Sequence, residues 1–375
     1  MEFGALTVKL PDGGWYRFVS PGKGPDARLV MHNWNLPRRA LTGGSIGAGE
    51  SYMDGDWESP DMAAFMELFA LNERVADELT TPGLLQNLWQ SIRHWLHANT
   101  RAGSRRNIAA HYDLGNRFYS RWLDATMTYS SAIFEKRKSS LADAQQSKYR
   151  SIAERAGIRP GDNVLEIGCG WGGFAEFAAK NFGCKVTGLT ISREQENFAR
   201  ERMFKAGLND RVEIRFQDYR DEKGMYDRIA SIEMFEAVGE KYWPVYFAKL
   251  RECLKAGGRA GLQIITIADR SFERYRRQPD FIQRYIFPGG MLPSPSVLGK
   301  LGAEAGLRQV AERIFPLDYA RTLAEWRTRF NAAWNDIRKE GFDERFRRMW
   351  EFYLYYCEAG FRAGNIDVRQ VFLQK

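Results

Sequence analysis

The stretch Val164-Leu165-Glu166-Ile167-Gly168-Cys169-Gly170-Trp171-Gly172-Gly173 constrains this chain more than any other. The apolar Val164, Leu165 and Ile167 suit a strand buried in a parallel sheet, and the glycines that follow let backbone approach a ligand where a Cβ would clash. Dinucleotide enzymes and ordinary tight turns also use glycine loops, so the choice of ligand rests on the neighbouring segments. The next strand pattern, Lys185 to Leu189, lies about twenty residues on and lacks the Asp or Glu that a nicotinamide dinucleotide site puts there for the ribose. NAD is therefore disfavoured. Thr190 and Gln195, at the close of that strand and on the following helix, are suited to hydrogen-bond ribose hydroxyls instead.

From about residue 106 onward, helical and strand patterns alternate, which predicts an α/β fold with a doubly wound parallel sheet. Strands are expected over 163–167, 185–189, 212–217, 227–232, 259–267, 309–314 and 369–373. The segment 268–295 breaks the alternation after the fifth strand, and an excursion of that size in a compact domain is often a lid or substrate wall. Residues 1–105 read as a smaller N-terminal α+β domain. Strand patterns run over 6–10 and 15–19 with a turn at Pro11-Asp12-Gly13-Gly14, and Ser59-Pro60 reads as a helix start. Met62, Phe65, Met66 and Phe69 then form an apolar helical stripe. The polar run from Ala98 to Arg106 marks the boundary, giving a second domain over 106–375. Lipid contact and dimerisation are candidate roles for the first domain, and a homodimer is left open.

At 375 residues the chain has room for one large domain and a smaller one. Its net charge of +8, from 55 basic and 47 acidic residues, suits an anionic partner such as a phospholipid surface or a nucleic acid. No apolar run approaches the roughly 20 residues needed to cross a bilayer, and Met1-Glu2-Phe3-Gly4 begins without the regions of a signal peptide, so a cytoplasmic protein is expected. Cys169, Cys184, Cys253 and Cys357 show no C-x-x-C spacing and read as reduced thiols. The histidines are His32, His94, His97 and His111. His94 and His97 share a helical face but lack an acidic or cysteine partner nearby, so no metal site is expected.

Several further segments fall in an order and spacing that resemble class I S-adenosylmethionine-dependent methyltransferases, and within them the cyclopropane fatty acid synthase family, which includes mycolic acid methyltransferases. They are Tyr129-Ser130-Ser131, the loop through Gly173, Leu189-Thr190-Ile191-Ser192 with Gln195, Gln217-Asp218-Tyr219-Arg220-Asp221, Met234-Phe235-Glu236-Ala237-Val238-Gly239 and Tyr285-Ile286-Phe287-Pro288-Gly289-Gly290. The glycine-rich segment from Gly44 to Gly55 is similar to one in full-length bacterial synthases, so the likeness covers most of the chain. It implies a seven-stranded Rossmann-like methyltransferase sheet. The cofactor it implies is S-adenosyl-L-methionine, bound by residues matching Tyr129, Ser130, Gly168, Gly170, Trp171, Gly172, Thr190, Gln195, Gln217 and Asp218. The residue matching Glu236 helps hold a bicarbonate ion that serves as base, and Tyr319 matches another ligand of that ion.

The implied reaction begins with attack of a cis double bond of an unsaturated phospholipid acyl chain on the activated methyl group. A proton lost from the new methyl closes a cyclopropane; one lost from a neighbouring carbon leaves a methyl-branched alkene. Water must be kept from the cation, and Trp171, Phe235, Tyr285, Phe287 and Tyr319 are candidate aromatic walls. The chain departs from the family pattern at three places. Ser131 stands for a cysteine, Ala237 for the histidine after the glutamate, and Gln263 for a bicarbonate-binding histidine in an ungapped alignment, with Ile265 as the alternative position. Those departures leave ring closure open and give the branched product nearly equal standing. Glu236, Tyr319, Gln263 and Ser131 are thus the expected catalytic set.

For the membrane surface the expected residues are Arg270-Ser271-Phe272-Glu273-Arg274-Tyr275-Arg276-Arg277 with Phe281 and Arg284, which interleave basic and aromatic side chains. They imply peripheral association with the inner face of the membrane. A nucleic-acid methyltransferase would carry an Asn/Asp-Pro-Pro-aromatic turn or a Pro-Cys nucleophile after the fourth strand, and Met234-Phe235-Glu236-Ala237 offers neither. A small-molecule methyltransferase and an inactive lipid-binding relative remain as rival classes.

Overall fold

Strand β1 (Phe3–Lys9) lies between β2 (Trp15–Val19), antiparallel to it, and β3 (Gly22–Met31), parallel to it, and β4 (Trp57–Glu58) adds to the far side of β3. The computed structural model describes residues 1–73 and 114–375. The expected linker from Ala98 to Arg106 and the histidines His94, His97 and His111 lie outside those residues. In the turn after β1, the Leu10 amide donates to the Gly14 carbonyl at 2.8 Å, and Gly13 takes a φ of 92° that a side chain would disfavour. Strands β3 and β4 have no counterpart in the sequence reading: Lys23, Gly24 and Pro25 hide the first, and the second is two residues long.

The helix expected at Ser59-Pro60 begins later, at Met62, and runs to Leu71. Its cap is Asp61, whose carboxylate accepts the Ala64 amide at 3.0 Å, while the Ser59 hydroxyl has no hydrogen-bond partner. Met62, Phe65, Met66 and Leu68 are its buried side chains, whereas Phe69 is exposed. The compact unit that includes this sheet comprises Met1–Leu96, Glu273–Pro288 and Leu323–Ile366. Inside it the helix Glu344–Arg362 packs against Met62–Leu71 and against the helix Asn35–Met53, with Phe352 ringed by Phe281 at 4.5 Å and Tyr52 at 5.9 Å.

The second unit comprises His97–Phe272, Gly289–Thr322 and Asp367–Lys375. Both units are therefore discontinuous in sequence, whereas sequence alone drew one boundary near residue 105. Segment 268–295 is divided between them. It is also more ordered than an open loop, holding a helix over Asp269–Arg277 and a π-helical turn over Ile282–Ile286.

All seven expected strands form the sheet of the second unit: β5 (Asn163–Ile167), β6 (Lys185–Thr190), β7 (Val212–Phe216), β8 (Tyr226–Ile232), β9 (Leu254–Ile267), β10 (Arg308–Ile314) and β11 (Ile366–Gln374). Their order is β10-β11-β9-β8-β5-β6-β7. Neighbours from β9 to β7 pair in parallel, and β10 pairs antiparallel with β11. The core reads as predicted from β5: Val164 and Leu165 are fully buried and Ile167 nearly so. The strand order reverses at β5, because the chain runs from β5 outward to β6 and β7 and then returns to the other side of β5 as β8. A reversal of that kind opens a crevice beyond the carboxyl ends of the strands, where the functional residues collect.

Candidate active site

The loop after β5 turns back on β6: the Gly168 and Cys169 amides both donate to the Leu189 carbonyl, at 3.0 and 2.9 Å. Gly168 has a φ of 79°, and a Cβ there would lie 2.5 Å from the Met234 side chain, so only glycine lets this loop lie against the segment after β8. Gly170 differs. Its φ is 51° and a Cβ would meet nothing within 4 Å, which leaves open space beside half-buried backbone. Trp171 is buried, meets Tyr119 in a tilted ring contact at 5.2 Å and donates its indole N–H to Asn116 at 2.7 Å. Tyr119 in turn meets Tyr129 at 5.4 Å, so an aromatic group lines the approach to the loop.

At the end of β6, the buried Thr190 hydroxyl donates to the Gln195 side-chain carbonyl at 2.8 Å, and Ser192 caps the helix Arg193–Lys205. Beyond β7, the Gln217 amide donates to Glu222 at 3.0 Å. Asp218 caps a short 3₁₀ turn and holds the Arg220 guanidinium through both oxygens, at 2.8 and 2.6 Å. Asp218 thus has a structural task beside the cofactor contact that the resemblance implies. The open face at Gly170, the strand ends and the absence of an acidic ribose ligand fit S-adenosylmethionine.

The acidic centre lies at the ends of β8 and β9. Sequence selected Glu236, which the structure half-buries: Oε1 accepts the Ile265 amide at 2.6 Å, while Oε2 is enclosed with no hydrogen-bond partner. Burial first and the neighbouring Glu233 second push its carboxyl up to about 8. Glu233 itself was missed. It directly follows β8, and its carboxylate collects three donors: the Ser131 amide at 2.8 Å, the Gln263 side-chain amide at 2.8 Å and the Tyr319 hydroxyl at 2.6 Å. Three of the four expected catalytic residues therefore converge on a residue sequence did not choose. The signal was available, since Glu233 is an acidic residue directly after a buried strand.

Supporting contacts fix this arrangement. Gln263 is fully buried on β9, also donates to the Ser131 carbonyl at 3.2 Å, and accepts from Gln370 on β11 at 3.1 Å. That chain of amides sets the orientation of Gln263 and so aims its N–H at Glu233. Ser130 accepts from the fully buried Lys148 ammonium at 2.6 Å, and burial pulls this ammonium down to about 7 against the attraction of Glu233, Asp124 and Glu166. The Ser131 hydroxyl turns away to the Ala132 carbonyl. Hence Ser131 serves the site through its backbone.

Bicarbonate does not fit these residues well. The Tyr319 hydroxyl already donates to Glu233, both positions considered for a family histidine hold Gln263 and Ile265, and an added anion would meet the Glu233 carboxylate. Among the aromatic candidates, Phe235 packs into Trp243, Tyr246 and Phe247, which makes it core rather than wall. Tyr285 and Phe287 belong to the other compact unit, where Tyr285 donates to Glu50 at 2.5 Å and Phe287 meets Tyr353. The proposed interfacial segment is also corrected: Phe272 and Phe281 are buried, and Arg274 pairs with Glu73. Aromatic side chains already packed in the protein core are not available as membrane anchors.

Among the described residues, no helix is long and apolar enough to cross a membrane and no group of three or more His, Cys, Asp or Glu is placed to hold a metal ion. The family model described as mycolic acid cyclopropane synthetase matches residues 99–371. A tuberculostearic acid methyltransferase of Mycobacterium tuberculosis is 42% identical over 345 residues, covering 89% of this chain and 80% of that protein. The cyclopropane-fatty-acyl-phospholipid synthase of Escherichia coli is 38% identical over 382 residues, covering 97% of this chain and 94% of its own. Among solved structures, a mycolic acid cyclopropane synthase complexed with SAH and CTAB superposes with a TM-score of 0.68 at 29% identity, covering 72% of this chain and 98% of the other.

Proposed function

Because the chain belongs to the cyclopropane synthase family of S-adenosylmethionine-dependent methyltransferases, we propose that it methylates the cis double bond of an unsaturated phospholipid acyl chain. The observation that carries this reading is the buried acidic centre of Glu233 and Glu236 with Tyr319, set beside a glycine loop with open space at Gly170. An electron-rich carbon needs no deprotonation before methyl transfer but leaves a cation afterward, and buried carboxyl groups suit that order of events. When bound, S-adenosylmethionine supplies the activated methyl group. Tyr319, its hydroxyl engaged with Glu233, is the aromatic side chain at this centre.

Two endings compete. Cyclopropane formation is the ending the family description names. A methyl-branched alkene is the second reading, favoured by the altered acid–base residues at Ser131, Ala237 and Gln263, because the position of the proton acceptor selects which proton leaves. The test is to supply S-adenosylmethionine carrying a fully deuterated methyl group with vesicles of cis-unsaturated phospholipid, then to analyse the acyl chains by mass spectrometry. A methyl-branched alkene formed by proton loss from the chain keeps all the deuterium of the transferred methyl; a cyclopropane loses one deuteron and carries no double bond that reduction would saturate. No methylated lipid, with methylation of RNA or of a soluble small molecule instead, would overturn the reading.

We infer that any contact with the bilayer is made by a different surface from the one read in the sequence. Trp15, Tyr16, Phe18 and Val19 of β2 are all exposed, Lys9 and Arg28 lie over the Trp15 ring, and a shallow groove beside them is lined by Met1, Leu6, Phe18, Val19 and Ser20. Aromatic side chains beside cations suit an anionic lipid interface. Binding to anionic vesicles should weaken severalfold as salt rises from low to physiological strength. Trp15→Ala combined with Phe18→Ala should weaken it further at fixed salt, as measured by co-sedimentation. Unchanged binding of the double variant would remove β2 from the interface.

A further inference from the structure

Resting on that reading, we propose that the Glu233 carboxylate is the proton acceptor of the reaction and does the work of a separate bicarbonate ion. The carboxylate is held as an acceptor: three donors converge on it, from Ser131, Gln263 and Tyr319, and donors of this kind favour the charged form. Its neighbour is held differently, with one oxygen of Glu236 buried and unpaired. Of two buried carboxyl groups in one site, the better-solvated one keeps the charge and the other keeps the proton. Burial also raises Glu233 above the ordinary carboxylate range, which makes it a stronger base than an exposed glutamate.

The backbone adds an independent observation. Glu233 has a φ of 50°, a left-handed conformation shared with only one other non-glycine residue, Met127, among the described residues. Its amide donates to the Gln263 carbonyl at 2.8 Å, so the pairing of β8 with β9 holds the residue in that conformation. That strained backbone aims the side chain into the site, and strain of this kind collects at functional positions.

The step balances without an oxidant or reductant. The π pair of the acyl double bond forms the new C–C bond to the methyl, the S–C bond breaks with its pair passing to sulfur, and the adjacent chain carbon becomes cationic. Glu233 then takes a proton, and the released C–H pair closes either a ring or a new double bond. S-adenosylhomocysteine, the methylated lipid and protonated Glu233 result.

The test uses the full-length protein, S-adenosylmethionine and cis-unsaturated phospholipid vesicles in buffer stripped of carbon dioxide. Wild-type turnover should be unchanged when bicarbonate is restored. Glu233→Gly, which the left-handed backbone accommodates without strain, should lose at least about a hundredfold in turnover while S-adenosylmethionine affinity by calorimetry changes less than about threefold. Formate, acetate or bicarbonate should then partly restore this variant in a saturable way, by entering the space the side chain left. Glu233→Gln should be equally slow but not rescued. Loss of wild-type turnover on stripping bicarbonate, or wild-type turnover in both variants, overturns the proposal. Wild-type protein that methylates no lipid under either condition would instead defeat the functional reading itself.

Discussion

Gly170→Val is expected to abolish S-adenosylmethionine binding and, with it, all methyl transfer. The two glycines on either side are needed by the protein itself. A Cβ at Gly168 would lie 2.5 Å from Met234, and one at Gly172 would lie 3.1 Å from Ala199 and Met203. Gly170 has no such neighbour within 4 Å, so its missing side chain leaves room for something other than this chain. A valine would fill that room and would also take an unfavourable φ of 51°, at a cost of about 1–2 kcal/mol. Calorimetry should detect no heat of binding, while circular dichroism and thermal unfolding should show a folded protein of slightly lowered Tm. Retained affinity would place the methyl donor elsewhere.

Glu236→Gln is expected to raise stability and lower turnover at the same time. The ordinary glutamate value of 4.5 applies in the unfolded chain, and burial pushes the folded value up to about 8. Below pH 4.5 both states hold the proton and the shift contributes nothing to stability. As pH rises toward 8 the unfolded state ionises first, so the folded state loses stability progressively, and above about 8 the penalty stays constant. Glutamine cannot ionise and keeps an oxygen for the Ile265 amide, so it should remove a penalty of roughly 2–4 kcal/mol at pH 8 and very little at pH 4.5. Thermal unfolding across that range gives the measurement.

Turnover should move the other way, falling about a hundredfold with little change in S-adenosylmethionine affinity. The neutral carboxyl of Glu236 keeps the negative charge of the site on Glu233, and the N–H donors of an amide in its place would compete for that carboxylate and weaken it as a base. An opposing pair of effects is expected where a buried ionisable group is retained for chemistry at the expense of stability. Full activity on lipid would make Glu236 structural. A Glu236→Gln variant no more stable at pH 8 than at pH 4.5, relative to wild type, would show that the group is not held protonated.

The sequence by itself determined the seven strands of the larger sheet and the glycine loop after the first of them. Both are local: an apolar run such as Val164 to Ile167 has few alternatives to a buried strand, and a glycine-rich turn directly after it restricts the ligand through backbone geometry. Strand β9 shows the limit of that reading, since it begins at Leu254 rather than near 259, where Gly257 and Gly258 weaken the pattern. What only the tertiary structure decided depends on which distant segments meet. Glu233 draws Ser131, Gln263 and Tyr319 from positions 102, 30 and 86 residues away, and no spacing within the chain encodes that convergence. The same holds for burial: Phe272 and Phe281 look like the surface aromatics of a basic segment until packing encloses them, whereas Trp15 and Phe18 remain exposed on β2. Local sequence sets backbone preference through sterics and periodicity, but the partner of a polar side chain, and with it the charge it can hold, is set by the strands and helices that fold against it.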